Sequence, residues 1–407
     1  MPGYGSRYWA ERTPAGRRHE YPRFKGEATA DVVVIGGGLT GSTAAYVLAA
    51  GGLDVVLVEA DRIASGTTSG SLGVMLPVPD AGFTSVEREA GRRVARNGWK
   101  EAHRSAREFA SALGRLHVRC DLTDSALVVN ARDADEFAVL KKDQAIRKVA
   151  GVGVAGLSAA AARAEIGTVS RGALREPDAF VFDPVRASLG LAGAAARKGA
   201  RVFERSEVRR TRFTRTDATV VLGTGAITTR GVYVATGAPG PLFGQLRRHV
   251  RRATGFVVVT EPFTAAMRRE AGRRTSVVTE AGDDPHWMRW LAEDRALFAG
   301  ALAPRVPVRQ EARVLVQRTA QLMYELSLRY PVMSGLPARW SWAMPVVSTA
   351  DGLPWIGPHR NYPFHFFSLA FGWHGDGLAW FAARAALRHF RGEARREDEA
   401  FGFSRAL

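Results

Sequence analysis

The 407-residue chain predicts an α/β fold, α+β overall: a Rossmann-type dinucleotide-binding domain and a second domain with a largely antiparallel sheet. Three observations predict it. The stretch Asp31 to Glu59 reads strand, glycine turn, helix, strand and terminal acid. Between Gly255 and Leu302, strand-like segments follow one another with few crossover helices, the mark of a separate antiparallel layer. The length and a hydrophobic content of 46% suffice for a large buried core in two domains.

The first stretch carries the most chemistry. Asp31 to Ile35 reads as a buried strand, Gly36, Gly38 and Gly41 stand at G-x-G-x-x-G spacing, and an apolar helix pattern runs from Leu39 through Thr40 to Ala50. Gly36 permits the tight turn, Gly38 lets a pyrophosphate approach the backbone, and Gly41 lets helix pack on strand. The helix N-terminus offers free N–H groups and partial positive charge to phosphates. After the Gly51-Gly52 turn, Val55 to Val58 reads as a second strand ending in Glu59, which accepts hydrogen bonds from a ribose 2′-OH and repels a 2′-phosphate.

Residues 1–29 read as an aromatic-anchored lead-in packed on the domain surface. Beyond Glu59 and Ala60, the small-residue loop Ala64 to Gly73, with Gly66, Thr67 and Thr68, suits a second pass beside a pyrophosphate or flavin ring; a flexible loop is the alternative. Ser85 to Leu113 predicts charged amphipathic helices, Ser125 to Val129 a strand, and Asp133 to Val149 a supporting helix. Ala179 to Val185 leads into a helix from Arg186 to Lys198, followed by strands at 200–203, 218–222 and 226–228. Gly231 to Gly237 predicts a buried strand ending in Ala235-Thr236-Gly237, where small residues let backbone pass close to a cofactor. The antiparallel layer takes strands at 256–260, 276–279, 286–291 and 297–299. A helix follows at 314–329, then an aromatic-rich stretch from Trp340 to Val347, and Phe364 to Arg391 reads as strand, glycine turn and helix.

Composition narrows the function classes. The only cysteine, Cys120, excludes an internal disulfide and a cysteine-rich metal or iron–sulfur site. No apolar run approaches the roughly 18 residues needed to span a bilayer, and the N-terminus lacks a signal peptide's apolar stretch, so a cytoplasmic location is expected. The formal charge of +17 comes from arginines spread along the whole chain, which fits either a solvated basic surface or an anionic partner.

In its order of motifs the chain resembles the FAD-dependent amine and amino-acid oxidase family that includes glycine oxidase, sarcosine oxidase and gamma-glutamylputrescine oxidase. The resemblance rests on the glycine motif with Glu59, the loop 64–73, Phe182-Asp183-Pro184, Ala235-Thr236-Gly237, Asp351-Gly352-Leu353-Pro354 with Ile356-Gly357, and Gly372-Trp373-His374-Gly375-Asp376-Gly377. It implies non-covalent FAD, since loop 64–73 lacks histidine and Cys120 stands far from the C-terminus. The FAD-binding domain would be assembled from residues 1–84, 183–240 and 344–407, and the substrate domain from 85–182 and 241–343. By carry-over, Glu59 would bind the adenosine ribose, Val208 the adenine side through its backbone, and Thr67 and Thr68 the pyrophosphate or ring. Gly375, Asp376 and Gly377 precede a helix from Leu378 to Phe390, whose N-terminus would stabilise the negative charge of reduced flavin; Leu353, Pro354, Ile356 and Gly357 would close the same edge.

The resemblance also implies the chemistry: hydride passes from the carbon beside an amine nitrogen to flavin N5, and the imine hydrolyses. The sequence departs from the family pattern in two places. Where some members carry an arginine for the substrate carboxylate, this chain has Val346, which favours an alkyl- or polyamine-type substrate over an α-amino acid; Arg289 is either a substitute clamp or a structural arginine. No lysine follows Lys198, so the acceptor is oxygen, as in lysine-bearing relatives, or another electron acceptor. His374 is the expected polar group near the ring, with Trp287, His286 and Trp373 as pocket residues and Trp340, Trp342 and Trp355 as core. A competing reading is a flavin enzyme acting on a modified transfer-RNA base, which the charge would suit.

Overall fold

In the computed structural model, which describes residues 3–406 apart from 14, 15, 17 and 283, the chain builds two sheets. An eight-stranded sheet runs in the order Trp355–His359, Tyr362–Leu369, Gly225–Gly237, Gly26–Ile35, Val55–Val58, Arg201–Phe203. All neighbours along this path are parallel except the first pair, and a hairpin of Val208–Phe213 and Ala218–Leu222 joins the first half of Gly225–Gly237. The second sheet has ten strands and is antiparallel apart from two pairings, Gly3–Tyr4 with Ala338–Ser348 and Ser276–Glu280 with Thr123–Ala131.

The parallel sheet forms because its central strands are apolar runs buried on both faces, one face under helices and the other under the hairpin of residues 208–222 and the Pro241–His249 segment. The Leu39–Ala50 helix is apolar nearly all round and buries nine residues, packed between the sheet and the Pro184–Arg197 and Ala379–Phe390 helices. Caps set helix boundaries: Asp133 accepts the N–H of Glu136, and Asp183 accepts those of Val185 and Arg186 with Pro184 in the first turn.

Three expectations change. The two strands read at 226–228 and 231–237 are one strand, Gly225–Gly237, because its first half pairs with the hairpin and its second half with Tyr362–Leu369, while both halves pair with Gly26–Ile35. The charged helical stretch divides into Phe83–Ala90 and Arg92–Arg115 at Gly91, which takes φ +86°. The lead-in is mostly exposed from residue 18 to 29, but its first aromatic anchors go beneath the surface. Tyr8 and Trp9 are buried, Trp9 donates its indole N–H to Ser71 O at 2.7 Å, and Arg7 donates to Ser65 O, Gly66 O and Ser69 Oγ. The Tyr8 ring also packs edge-on against Trp340 of the ten-stranded sheet. The lead-in thus clamps the small-residue loop against the second sheet.

Candidate functional site

A groove of about 570 Å³ opens at the carboxyl ends of the parallel strands. Gly36, Gly38, Glu59 and Ala60 line it from the first βαβ unit, Gly66 and Thr67 from the small-residue loop, and Ala235 and Thr236 from the end of Gly225–Gly237. Val208 lines the same groove. Its neighbours Ser206, Glu207 and Arg209 do so too, as do Leu242 and Phe243; these five carry no motif, and only the fold brings them here. Leu39 and Thr40 form the first helical turn behind the groove.

The packing explains the glycines. A Cβ on Gly41 would stand 1.8 Å from Gly36 O, so no side chain fits between helix and strand. A Cβ on Gly38 would stand 2.8 Å from Thr68 Oγ1, which itself accepts the Leu39 N–H at 2.9 Å. The Glu59 carboxylate accepts the Gly37 N–H at 2.6 Å and the Asp61 N–H at 3.0 Å. Burial pushes its pKa up, and the two backbone N–H groups pull against that. A carboxylate has about four lone-pair sites, so acceptor capacity remains for a diol. A glycine-floored cleft, a helix N-terminus and a buried acid at the second strand's end fit the adenosine diphosphate half of a dinucleotide.

The Gly372–Leu378 turn forms a second locus. Gly372 has φ +67°, and a Cβ there would overlap Asp80, 1.9 Å from Oδ2. Asp376 accepts the Ser71 hydroxyl at 2.5 Å, tying the turn to the small-residue loop; burial raises its carboxyl to about 6. Gly377 O accepts the Ser105 hydroxyl at 2.6 Å, and Leu378 is buried. Gly375 opens the short helical turn, and Gly237, at φ +71°, ends the neighbouring strand. Gly357 lies apart from both loci: it faces Gly402 and lines a different cavity, so the expectation that it closes the cofactor's edge is corrected by the pairing of its strand at the sheet's edge.

Around this turn the structure gathers polar atoms that have no protein partner. His374 Nε2 stands 3.2 Å from Asp80 Oδ1, and the His374 ring lies 4.5 Å from the Trp287 ring. Asp80 also accepts the Trp373 N–H at 3.0 Å. His374 Nδ1, Trp287 Nε1 and Trp373 Nε1 are buried without hydrogen-bond partners, a costly state unless a ligand or water meets them. Burial lowers the His374 pKa, with Asp80 opposing, so the ring is neutral near pH 7. Asp80 carries no sequence signal; it stands 294 residues before His374, and only the fold joins them.

Two other expected pocket residues are put to different use. Arg289 shares a strand face with Trp287, but its Nη1 donates to Leu72 O, Gly73 O and Phe182 O while its guanidinium lies 5.1 Å from the Trp9 ring centre. Burial lowers its pKa to about 10. This is the structural reading of Arg289: carbonyl dipoles and an aromatic face hold the charge, and the residue ties loop to sheet. His286 turns to the opposite face of the sheet, stacked on Phe298 at 5.0 Å and hydrogen-bonded to Glu280 and Glu325. Trp342 and Trp355 are core, and Trp342 donates to Gly70 O at 3.0 Å. Val346 is buried and apolar.

Comparison with known proteins adds to this geometry. Residues 31–388 match the family model described as FAD dependent oxidoreductase, DAO. The chain is 24% identical over 401 residues to gamma-glutamylputrescine oxidoreductase of Escherichia coli (strain K12), covering 98% of this chain and 92% of that one. It is 36% identical over 130 residues, 31% of this chain and 18% of the other, to the tRNA 5-methylaminomethyl-2-thiouridine biosynthesis bifunctional protein MnmC of Burkholderia thailandensis. Its fold is similar to glycine oxidase from Geobacillus kaustophilus, with a TM-score of 0.77 at 19% identity over 93% of this chain and 100% of that one. Among the described residues, no helix is long and apolar enough to cross a membrane, and no group of three or more His, Cys, Asp or Glu side chains is arranged to hold a metal ion.

Proposed function

For a chain that belongs to the DAO family of FAD-dependent oxidoreductases, we propose the oxidation of a C–N bond in an amine that carries no carboxylate on the reacting carbon. One observation carries this substrate reading. By the family resemblance, Val346 stands where some members carry an arginine for the substrate carboxylate, and the alternative cation, Arg289, is engaged with three carbonyls. Without a guanidinium fork, an α-carboxylate entering the site would be desolvated and unpaired, at a cost of several kcal/mol.

Bound non-covalently, FAD supplies the hydride acceptor. The chain's residues do the rest. Gly36, Gly38, Glu59 and Val208 hold the adenosine half, and the first helical turn meets the pyrophosphate. His374, with Nε2 held by Asp80, offers Nδ1 to the amine nitrogen and takes the proton an ammonium must lose before it reacts. Trp287 and Trp373 keep water from the reacting carbon and orient the amine by their indole N–H groups.

The test uses the visible spectrum of the purified protein. Under anaerobic conditions, alkylamines, diamines and their derivatives are expected to bleach the flavin, whereas glycine and proline leave it oxidised. Faster bleaching by α-amino acids would overturn the substrate class. Rapid recolouring on admission of air assigns oxygen as acceptor, and slow recolouring assigns another. Acid precipitation should leave the flavin in the supernatant.

A second reading, action on a modified transfer-RNA base, draws on the formal charge of +17 and the partial match to MnmC. It requires retention on RNA at low salt and a steep loss of binding as salt rises.

A further inference from the structure

A cavity of about 590 Å³ lies outside the cofactor groove and shares no lining residue with it. Its walls come from the Trp355–His359 strand, the Ala379–Phe390 helix, the Pro241–His249 segment and residues 394–404. The volume falls within the range of small-molecule sites.

The chemistry of the lining is one-sided. Arg248, Arg360 and Arg396 are exposed at the rim, and among the described residues none has a carboxylate within salt-bridge distance. Of the two carboxylates that line it, Asp398 is engaged by Arg388 and by the Arg395 N–H, which leaves Glu399. His359 is only 8% exposed; its Nδ1 accepts the Asn361 N–H at 3.2 Å, so the neutral ring carries its hydrogen on Nε2. No acceptor for that N–H stands among the described residues. Burial, His249, Arg248 and Arg360 all lower the His359 pKa, so the ring is a neutral donor near pH 7. Phe403 supplies an aromatic wall, edge-on to His359 at 4.9 Å and stacked on Trp355 at 4.8 Å.

We infer that this cavity is a second binding site, for an organic phosphate with an aromatic or apolar body. Guanidinium groups suit phosphate oxygens, the His359 N–H adds a directed donor, and Phe366 and Phe403 face the body of the ligand. Three arginines without carboxylate partners, set around one cavity beside a largely buried imidazole whose free N–H faces no protein acceptor, distinguish the site from an ordinary solvated basic surface.

Calorimetry on the FAD-saturated protein tests this, since bound FAD blocks the adenosine groove. The probes are AMP, adenosine and inorganic phosphate. AMP should bind saturably and at least about tenfold more tightly than adenosine. The exposed substitution Arg360→Glu should weaken AMP by about tenfold or more while flavin content and visible spectrum stay unchanged. His359→Phe, which keeps the packing and removes the donor, should weaken it less. Phosphate binding as tightly as AMP would support the anion site and assign it to the free ion. Absence of binding by both AMP and phosphate would overturn the inference. So would equal affinity for adenosine, or an Arg360→Glu protein that binds AMP normally.

Discussion

The groove at the ends of the parallel strands and the region around Trp287 and His374 are built from different material. In the groove, backbone does most of the work: Gly36 and Gly38 form its floor, Gly41 brings the helix close, and a helix N-terminus supplies donors. Around Trp287, side chains from distant stretches do it: Asp80, Trp287, Trp373 and His374 meet across two sheets, and three of their nitrogens are left unpartnered. A site made of backbone constrains which residues are tolerated, because any added atom collides. A site made of side chains is free to change its ligand by exchanging one residue. This division suits an enzyme whose cofactor is shared by its family and whose substrate is its own.

The largest effect is expected where backbone approaches backbone. Gly41→Val forces atoms into a gap that a single Cβ already overfills, 1.8 Å from Gly36 O, and should give colourless or unfolded protein, with FAD affinity down more than about 100-fold. A yellow Gly41→Val protein of normal stability would break the comparison from its firmer side.

Next comes the outer face of the ten-stranded sheet, where Glu280 pairs with Arg329 and His286. Glu280→Ala takes the carboxylate partner from the half-buried Arg329 and leaves His286 with Glu325 alone, and should cost about 3 kcal/mol in urea unfolding. Burial alone would raise the Glu280 pKa, but bonds from His286 and Arg329 outweigh it and hold the carboxyl at about 2. A depressed carboxylate stabilises the fold above its ordinary unfolded value, about 4.3, and loses that contribution as pH falls towards about 2. The stability gap between wild type and Glu280→Ala should therefore narrow over that window, which acid titration at fixed urea would follow.

Arg289→Met separates structure from chemistry on the inner face. It removes the donor to three carbonyls and should lower stability by roughly 1–3 kcal/mol, while the KM for an amine without carboxylate changes little. Unchanged stability with a large rise in KM would make Arg289 a substrate residue. The smallest effect is expected from Glu59→Gln, which keeps shape but loses charge and places a donor near the Gly37 N–H. FAD should bind about five- to tenfold more weakly, as read by flavin fluorescence, with little change in the folding midpoint.

How legible these regions were follows the same division. The Leu39–Ala50 helix and the Val55–Val58 strand take the bounds that the residue pattern predicts, because turn chemistry and periodicity act over a few neighbours. Glu59 was legible because its position is set by the length of one strand. Arg289 and His286, three residues apart, were both plausible pocket residues; the fold turns them to opposite faces of one sheet. Gly357 sits in a motif the eye groups with the cofactor, yet its edge strand carries it to the cavity outside the groove. Asp80 left no local trace, and the aromatic lead-in did not tell which loop Arg7 and Trp9 hold, since their partners are distant in the chain.

By itself, then, the sequence determined the βαβ unit, its glycine turn and terminal acid, the family these belong to, and a second layer rich in antiparallel strands. Only the tertiary structure decided which face Trp287, Arg289 and His286 present, that Asp80 stands beside His374, and that Arg248, Arg360 and Arg396 and a buried imidazole line one cavity outside the groove. The reason is the range of the interactions. Steric demands of a helix packed on a strand are written within about 30 residues, whereas pairings of buried polar side chains exist only once the whole chain has closed around them.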